Sequence, residues 1–363
     1  MALTLTVSLA DQQFAKTKTI GILNVSLGLS RALCRHPALS RLTLLANASL
    51  PQIGEPGSAR VQRSDFGGIE GFGRFWWDQF AAYHAAGKTG NDWLFLPKGY
   101  ASFLRRPPLK LVTYVHDCMQ EHYRLHHPNA YPRFEGTYFR ACLKATVKQS
   151  RVILVNSKFT AAELQRFAQT CGVMPPPIVP VGVGFERPPV SVPASRTRIV
   201  VLASRWPHKL TGLAIDYTSR WQQQSNYTGS VDWVGELGEG ISLSKLKNWQ
   251  LHGRLNSSEY TRLQSEATAV LYFSEYEGFG MPPVEAVLTG ACPVYSSIPA
   301  TEEVMQGSGC SFRNESFESF AAALDKALKM PERQIQEWAE QLLVRYTWEK
   351  VAEKAVAAIQ AAS

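Results

Sequence analysis

At 363 residues, with 45% hydrophobic and 19% charged side chains, the chain has an ordinary globular composition and exceeds what one hydrophobic core supports, so two domains are expected. No apolar run approaches the roughly 18 residues of a membrane span. Six scattered cysteines, without CxxC or metal-ligand spacing, point to reduced thiols in a cytoplasmic protein. The net charge of +8 is uneven: residues 1–185 hold 21 Lys and Arg against 10 Asp and Glu, the remainder 17 against 20. No nucleic-acid-binding motif accompanies the basic half. That leaves an anionic membrane surface, an anionic acceptor or a plainly solvated face.

The start, MALTLTVSLADQQF, carries no basic leader and reads as a first strand over Leu3 to Leu9 rather than an export signal. A polar loop over 11–19 leads to Ile20-Gly21-Ile22, which opens a helical pattern through Leu23, Leu27, Leu29 and Leu33 to Arg35. Leu42 to Leu45 reads as a second strand. Residues 65–83 then concentrate Phe66, Phe72, Phe75, Trp76, Trp77, Phe80 and Tyr83; such density means core, a sugar platform or a membrane-facing patch. Trp93 to Leu96 is a strand entering a loop at Pro97, and Leu109 to Val115 is a buried strand ending in His116-Asp117. A lone histidine is more often structural, but ligands of open α/β sheets bind at such C-terminal strand ends. Tyr131 to Lys148 is helical and basic, and Arg151 to Val155 is the next strand. Ser157 or Thr160 suits the N-cap of the helix that follows, with Glu163 as capping-box partner. The proline-rich stretch 174–193 has linker composition and sets the domain boundary near 186–194.

Arg198 to Ala203 opens the second half as a parallel-type strand and runs into Ser204-Arg205-Trp206-Pro207-His208-Lys209. Val231 to Gly235 and Trp249 to Leu255 are further strands, and Ser257 begins a helix. Ala269 to Phe273 is short, apolar and β-prone. It leads into SEYEGFGMPPVEAVLTGACPV, where Glu277 and Glu285 stand eight positions apart around Gly278-Phe279-Gly280 and Pro282-Pro283. The prolines place a helix start near Pro283, running to Thr289 with Gly290 as C-cap, before a strand from Cys292. Strand, glycine loop and helix N-terminus together favour an anion. Glu285, read as lying in the first helical turn, could accept from hydroxyls of the same ligand. The pair alone would be a solvated glutamate and a capping glutamate; the whole string fits a phosphate-plus-polyol ligand such as a nucleotide-sugar.

Glu277-Gly278-Phe279-Gly280-Met281-Pro282-Pro283-Val284-Glu285-Ala286 resembles the E-x7-E signature of retaining glycosyltransferases of family 4, which have the GT-B fold. The resemblance implies that Glu277 contacts donor-sugar hydroxyls, that the backbone of Gly278, Phe279, Gly280 and Met281 meets sugar and diphosphate, and that Glu285 holds the ribose. Further segments follow the family order. Gly21, with Lys16 and Lys18 before it, stands where the family has an acceptor-side glycine-rich loop. His116 and Asp117 match a His-Asp pair whose histidine lies near the donor sugar. Arg205 and Lys209 match two cations that grip the diphosphate, at a spacing one residue shorter than usual. Gly235 matches a Val-Gly turn on the donor side, Leu255 a backbone contact to the base, and Tyr346-Thr347-Trp348-Glu349-Lys350 the start of a last helix that crosses back to the first domain. The resemblance covers most of 105–363; residues 1–100 match only in rough pattern.

The expected protein is α/β: two Rossmann-like domains with parallel sheets facing across a cleft, residues 1–188 on the acceptor side and 189–345 binding the nucleotide-sugar, with 346–363 as the returning helix. The expected function is transfer of a hexose, with retention, from a nucleoside diphosphate sugar (GDP-mannose first) to a saccharide or lipid-linked acceptor in polysaccharide or glycan synthesis. Catalysis falls to Glu277, His116, Arg205 and Lys209. With no Asp-x-Asp, neither a divalent metal nor a cofactor is expected, and no nucleic acid partner. The place of work is the cytoplasm, including the inner face of the membrane, reached through the basic first domain. An epimerase or phosphorylase of the same fold, or a non-catalytic sugar-binding protein, are the alternatives. A dinucleotide-dependent dehydrogenase would need a GxGxxG that is missing.

Overall fold

The computed structural model describes residues 3–12, 20–51, 53, 60–63, 72–130, 133–189, 196–243 and 248–363. The chain forms two compact units, one from Met1–Phe185 with Tyr346–Ser363 and the other Glu186–Arg345. Lys16, Lys18 and Phe66 lie outside the described residues.

The first unit is built on seven strands: β1 (Leu3–Ser8), β2 (Leu39–Ala46), β3 (Arg60–Arg63), β4 (Trp93–Leu96), β5 (Lys110–Val115), β6 (Val152–Val155) and β7 (Ile178–Pro180). They form one sheet in the order β3-β2-β1-β4-β5-β6-β7, and every neighbouring pair is parallel. Its helices are α1 (Ile20–Cys34), α2 (Phe72–Trp76), a π-helical turn (Trp77–Ala81), α3 (Ala82–Gly87), α4 (Met119–His126), α5 (Arg133–Gln149) and α6 (Lys158–Thr170). All four residues of β4 and of β6 are buried, which is why their sequences are continuous apolar runs rather than alternating ones. β3 and α4 were not expected from the sequence. β7 lies inside the proline-rich stretch of linker composition, where Val179 to Val183 resembles a family strand end at the close of the first domain; its edge position leaves prolines tolerable, since only one side must pair.

The second unit carries β8 (Arg198–Ala203), β9 (Ser230–Gly235), β10 (Trp249–Gly253), β11 (Ala267–Tyr272), β12 (Cys292–Ser296) and β13 (Cys310–Phe312), all parallel, in the order β10-β9-β8-β11-β12-β13. Its helices are α7 (Thr211–Ser225), α8 (Ser257–Ser265), α9 (Met281–Leu288), α10 (Pro299–Met305), α11 (Phe317–Leu328) and α12 (Glu332–Arg345), with a 3-10 turn at Pro207–Lys209. The last helix, α13 (Trp348–Ala361), belongs to the first unit and packs on α1.

Capping differs from expectation in one place. Ser157, not Thr160, caps α6, accepting from the Thr160 N–H, and Glu163 pairs with Arg166 instead of closing a capping box. Ser157 is the last extended residue, so only its hydroxyl can reach back to the third helical N–H. Asn256 and Glu259 do form a reciprocal capping box at α8. Among the described residues no helix is long and apolar enough to cross a membrane.

In both sheets the strand order reverses once, between β1 and β4 and between β8 and β11. Loops leaving the C-terminal ends there diverge to opposite sides and open a crevice, the general ligand position of doubly wound sheets.

Candidate active site

The loops leaving β8 and β11 carry the densest constellation in the second unit. The 3-10 turn after β8 places Lys209 so that its ammonium donates to a Glu277 carboxylate oxygen and, at 2.9 Å, to the Tyr272 hydroxyl. The Ser274 hydroxyl donates to the same Glu277 oxygen at 2.8 Å. The Lys209 ammonium also lies 4.8 Å from the centroid of the Tyr272 ring. Burial alone would raise the Glu277 carboxyl, but the Lys209 and His208 charges and the hydrogen bonds outweigh it, and the group stays below the ordinary glutamate value. Glu277 is therefore an oriented anion, ready to accept from hydroxyls. Sequence reasoning had not linked it to Lys209, nor picked out Tyr272 and Ser274, although both stand directly upstream of the glycine string.

Gly280 takes φ 84, a left-handed conformation, and a side chain there would meet Thr301 at 2.8 Å. This turn starts α9 at Met281, two residues earlier than Pro283. Pro282 and Pro283 occupy the second and third helical positions, where missing N–H groups leave no bond unmade. Glu285 consequently sits in the second turn of α9, not the first; the helix ends as expected at Gly290, which follows the C-cap Thr289 in the left-handed conformation at φ 87. The Phe279 side chain is buried, so only its backbone can serve a ligand.

Glu285 is the unusual group. Its side chain is mostly enclosed, and among the described residues it has no hydrogen-bond or ion-pair partner; burial pushes its pKa up to about 7. An enclosed carboxyl without a partner costs stability and calls for a ligand that donates hydrogen bonds.

The remaining donor-side residues are more dispersed. Arg205 is exposed and faces Glu236 at 3.8 Å rather than joining Lys209, and Glu236 in turn accepts Arg254 at 2.8 Å. Gly235 has a structural reason of its own: at φ 118, a side chain would lie 2.0 Å from the Ala203 carbonyl oxygen of β8. Leu255 packs its side chain onto the core cluster of Val200, Val234 and Leu263, which leaves its backbone as the part able to meet a base.

In the first unit, His116 follows β5 and its Nε2 meets the Pro97 carbonyl at 2.7 Å. A carbonyl only accepts, so Nε2 carries the proton and Nδ1 is the acceptor. Burial, aided by the Lys98 charge and opposed by that hydrogen bond, pushes the pKa down to about 4, so the ring is neutral at physiological pH. Asp117 accepts the Met119 N–H at 2.9 Å and fixes the turn into α4. Gly21 is the second residue of α1, helical rather than part of a loop.

At the β1/β4 reversal the structure assembles a group that the sequence reading missed. Lys98 pairs with Asp11, Arg74 lies 3.5 Å from Asp78, and the Tyr138 hydroxyl donates to Asp78 at 3.2 Å. Asp11, Arg74, Asp78, Lys98 and Tyr100 line a small cavity. Burial and the nearby Asp11 raise the Asp78 carboxyl to about 6 despite Lys98, Arg74 and Tyr138. Up to 87 residues separate the partners, so no local pattern announces them.

Residues 25–183 match the family model described as Glycosyltransferase Family 4, and residues 241–341 the one described as Glycosyl transferases group 1. The O-antigen chain mannosyltransferase RfbU of Salmonella typhimurium is 25% identical over 224 residues, which takes in 60% of this chain and 61% of that relative's length. Sucrose-phosphate synthase of Thermosynechococcus elongatus superposes with a TM-score of 0.71 over 99% of this chain and 100% of its own, at 16% identity. HepE of Anabaena, solved with UDP and glucose, gives 0.68 at 13% identity over 99% and 100%. The lipopolysaccharide outer core galactosyltransferase WaaB gives 0.61 at 13% over 99% of each chain. With a family 4 segment in one unit, a group 1 segment in the other and a parallel doubly wound sheet in each, the chain belongs to the GT-B glycosyltransferases of family 4.

Proposed function

We propose that the chain transfers a hexosyl group from a nucleoside diphosphate sugar to a saccharide or lipid-linked saccharide acceptor, with retention at the anomeric carbon. The observation that carries this reading is Glu285: a mostly enclosed carboxyl without a partner among the described residues, beside the N-terminal turn of α9 and eight positions from the oriented Glu277–Lys209 pair. A ribose diol supplies the two donors Glu285 lacks, and the diphosphate takes the amides of the Gly278–Met281 turn with Lys209 and Arg205. Glu277 then holds the sugar hydroxyls. His116, neutral and with Nδ1 as acceptor, offers one further contact to a sugar hydroxyl.

As the anomeric C–O bond to phosphate breaks, negative charge grows on the diphosphate, and the two cations and the amides are there to stabilise it. The acceptor oxygen bonds to the anomeric carbon on the same face while a donor phosphate oxygen takes its proton, so the nucleoside diphosphate leaves protonated. Catalysis comes from position and electrostatics, without a divalent metal. The acceptor is assigned to the first unit, where Asp11, Lys98, Arg74 and Asp78 present both signs of charge to a neutral polyol. GDP-mannose is the first donor to try, since the curated relative is named a mannosyltransferase. The basic first unit suits attachment to the cytoplasmic face of an anionic membrane.

The test follows nucleoside diphosphate release from UDP-, GDP-, ADP- and dTDP-hexoses, with methyl hexosides and a lipid-linked oligosaccharide as acceptors, and reads the new anomeric centre by NMR. One donor class should give an acceptor-dependent glycoside of unchanged configuration. Turnover without acceptor would favour an epimerase or phosphorylase, and binding without release a sugar-binding protein.

A further inference from the structure

The first unit holds a cluster of apolar side chains outward on a turn built to keep them there. Ser102, fully buried, is the anchor. Its hydroxyl donates to the Gln79 carbonyl at 3.0 Å and to Gln79 Oε1 at 3.1 Å, and its N–H donates to the Tyr83 hydroxyl at 3.1 Å. Gln149 donates to the Ser102 carbonyl at 2.8 Å, the Phe103 N–H donates to Gln79 Oε1 at 3.0 Å, and the Arg105 N–H donates to the Ser102 hydroxyl at 2.9 Å. The four residues after this anchor, Phe103, Leu104, Arg105 and Arg106, are all exposed.

Neighbouring elements extend the patch. Phe103 packs edge-on against Tyr138 at 5.9 Å, and Tyr138 against Phe75 at 5.8 Å. One turn before Tyr138 on the same face of α5 stands Phe134, 81% exposed. Trp76, 45% exposed, stacks on Phe80 at 4.8 Å, and Arg105 covers Phe80 at 5.5 Å. Leu104 is 49% exposed and Phe103 38%. Scattered apolar residues need no explanation, but a contiguous group fixed by these six hydrogen bonds and edged by arginines does. Arg105 and Arg106 take part in no ion pair among the described residues, whereas Glu135 beside Phe134 is the one exposed acid next to these side chains in sequence.

We propose that this face, formed by Phe103, Leu104, Trp76 and Phe134 with Arg105 and Arg106, docks on an anionic lipid bilayer. Aromatic and leucine tips enter the headgroup boundary, and the two arginines meet lipid phosphates. The preformed turn removes the ordering cost of insertion. This deepens the reading of a membrane-attached enzyme and is independent of the transfer chemistry.

Co-sedimentation of the full chain with phosphatidylcholine vesicles, with and without phosphatidylglycerol, tests it. The protein should bind only the anionic vesicles and be released by salt. Arg105→Glu with Arg106→Glu, and separately Leu104→Ser with Phe134→Ser, should each weaken binding at least about tenfold. Nucleoside diphosphate release with a water-soluble acceptor should stay unchanged, which shows that the variants fold. Binding unaffected by both variants would overturn this face while leaving membrane attachment intact. No binding by the parent protein would overturn both. A dimer in solution that the Leu104→Ser, Phe134→Ser variant dissolves would assign the face to a second copy of the chain and reject the lipid proposal.

Discussion

Replacing Glu285 by glutamine should make the unliganded protein more stable and the liganded one weaker. In the folded state burial lifts the Glu285 pKa from an ordinary 4.5 to about 7, so the fold binds that proton more tightly than the unfolded chain does. The stability this contributes is fully present below about pH 4.5, is lost as pH rises, and is gone above about pH 7. The integrated difference is about 3 kcal/mol at pH 8. Glutamine has the same shape and no charge to bury. It should therefore raise the unfolding temperature of the second unit at pH 8 by about 6–12 °C and leave it nearly unchanged at pH 4.5. Nucleotide affinity should move the opposite way. A ribose hydroxyl donating to a carboxylate is worth about 1.5–3 kcal/mol, so one lost charged bond weakens nucleotide binding roughly ten- to a hundredfold. Binding to the parent enzyme near pH 7 should also release protons, because the donated bonds favour the ionised form. Differential scanning calorimetry and titration calorimetry in two buffers measure both sides. A glutamine variant no more stable at pH 8 than its parent, or binding nucleotide as well, would refute the reasoning.

Lys209→Met should leave Glu277 enclosed without its cation and cost about 2–3 kcal/mol, whereas adding Glu277→Gln should restore most of the loss; chemical denaturation of the three variants checks this, and all should lack transfer. His116 has its folded pKa lowered to about 4, so its contribution holds above about pH 6.5 and is lost as pH falls toward 4, by about 3 kcal/mol. His116→Asn should flatten the acid limb of the stability profile. Transfer should persist in excess EDTA; a strong loss restored by magnesium would contradict the metal-free mechanism.

The parts legible in the sequence were those whose physics is local. Continuous apolar runs such as Val152-Ile153-Leu154-Val155 announced strands buried on both faces, and Gly280 with its two prolines announced a turn into a helix. The prolines misplaced that helix start because a proline pair is tolerated at positions two and three as readily as at one. Glu285 moved one turn inward as a result. By composition β7 looked like linker, because an edge strand can carry the prolines that mark one, and only the likeness of Val179 to Val183 to a family strand end pointed to it. The pairing of Lys209 with Glu277 spans 68 residues, and Asp11 reaches Lys98 across 87; both depend on strand order, which no window of sequence contains. Arg205 was matched by type, but its neighbour Glu236 arrives from the adjacent strand end.

The most direct single measurement is a thermal-shift panel of UDP-, GDP-, ADP- and dTDP-sugars against the parent protein and Glu285→Ala. A nucleotide at about a hundred times its dissociation constant adds roughly 2.7 kcal/mol. One base class should stabilise the parent protein, and the alanine variant should lose that shift. Equal shifts in both proteins, or none in either, would contradict the assignment of Glu285 to the ribose and with it the donor site built around it.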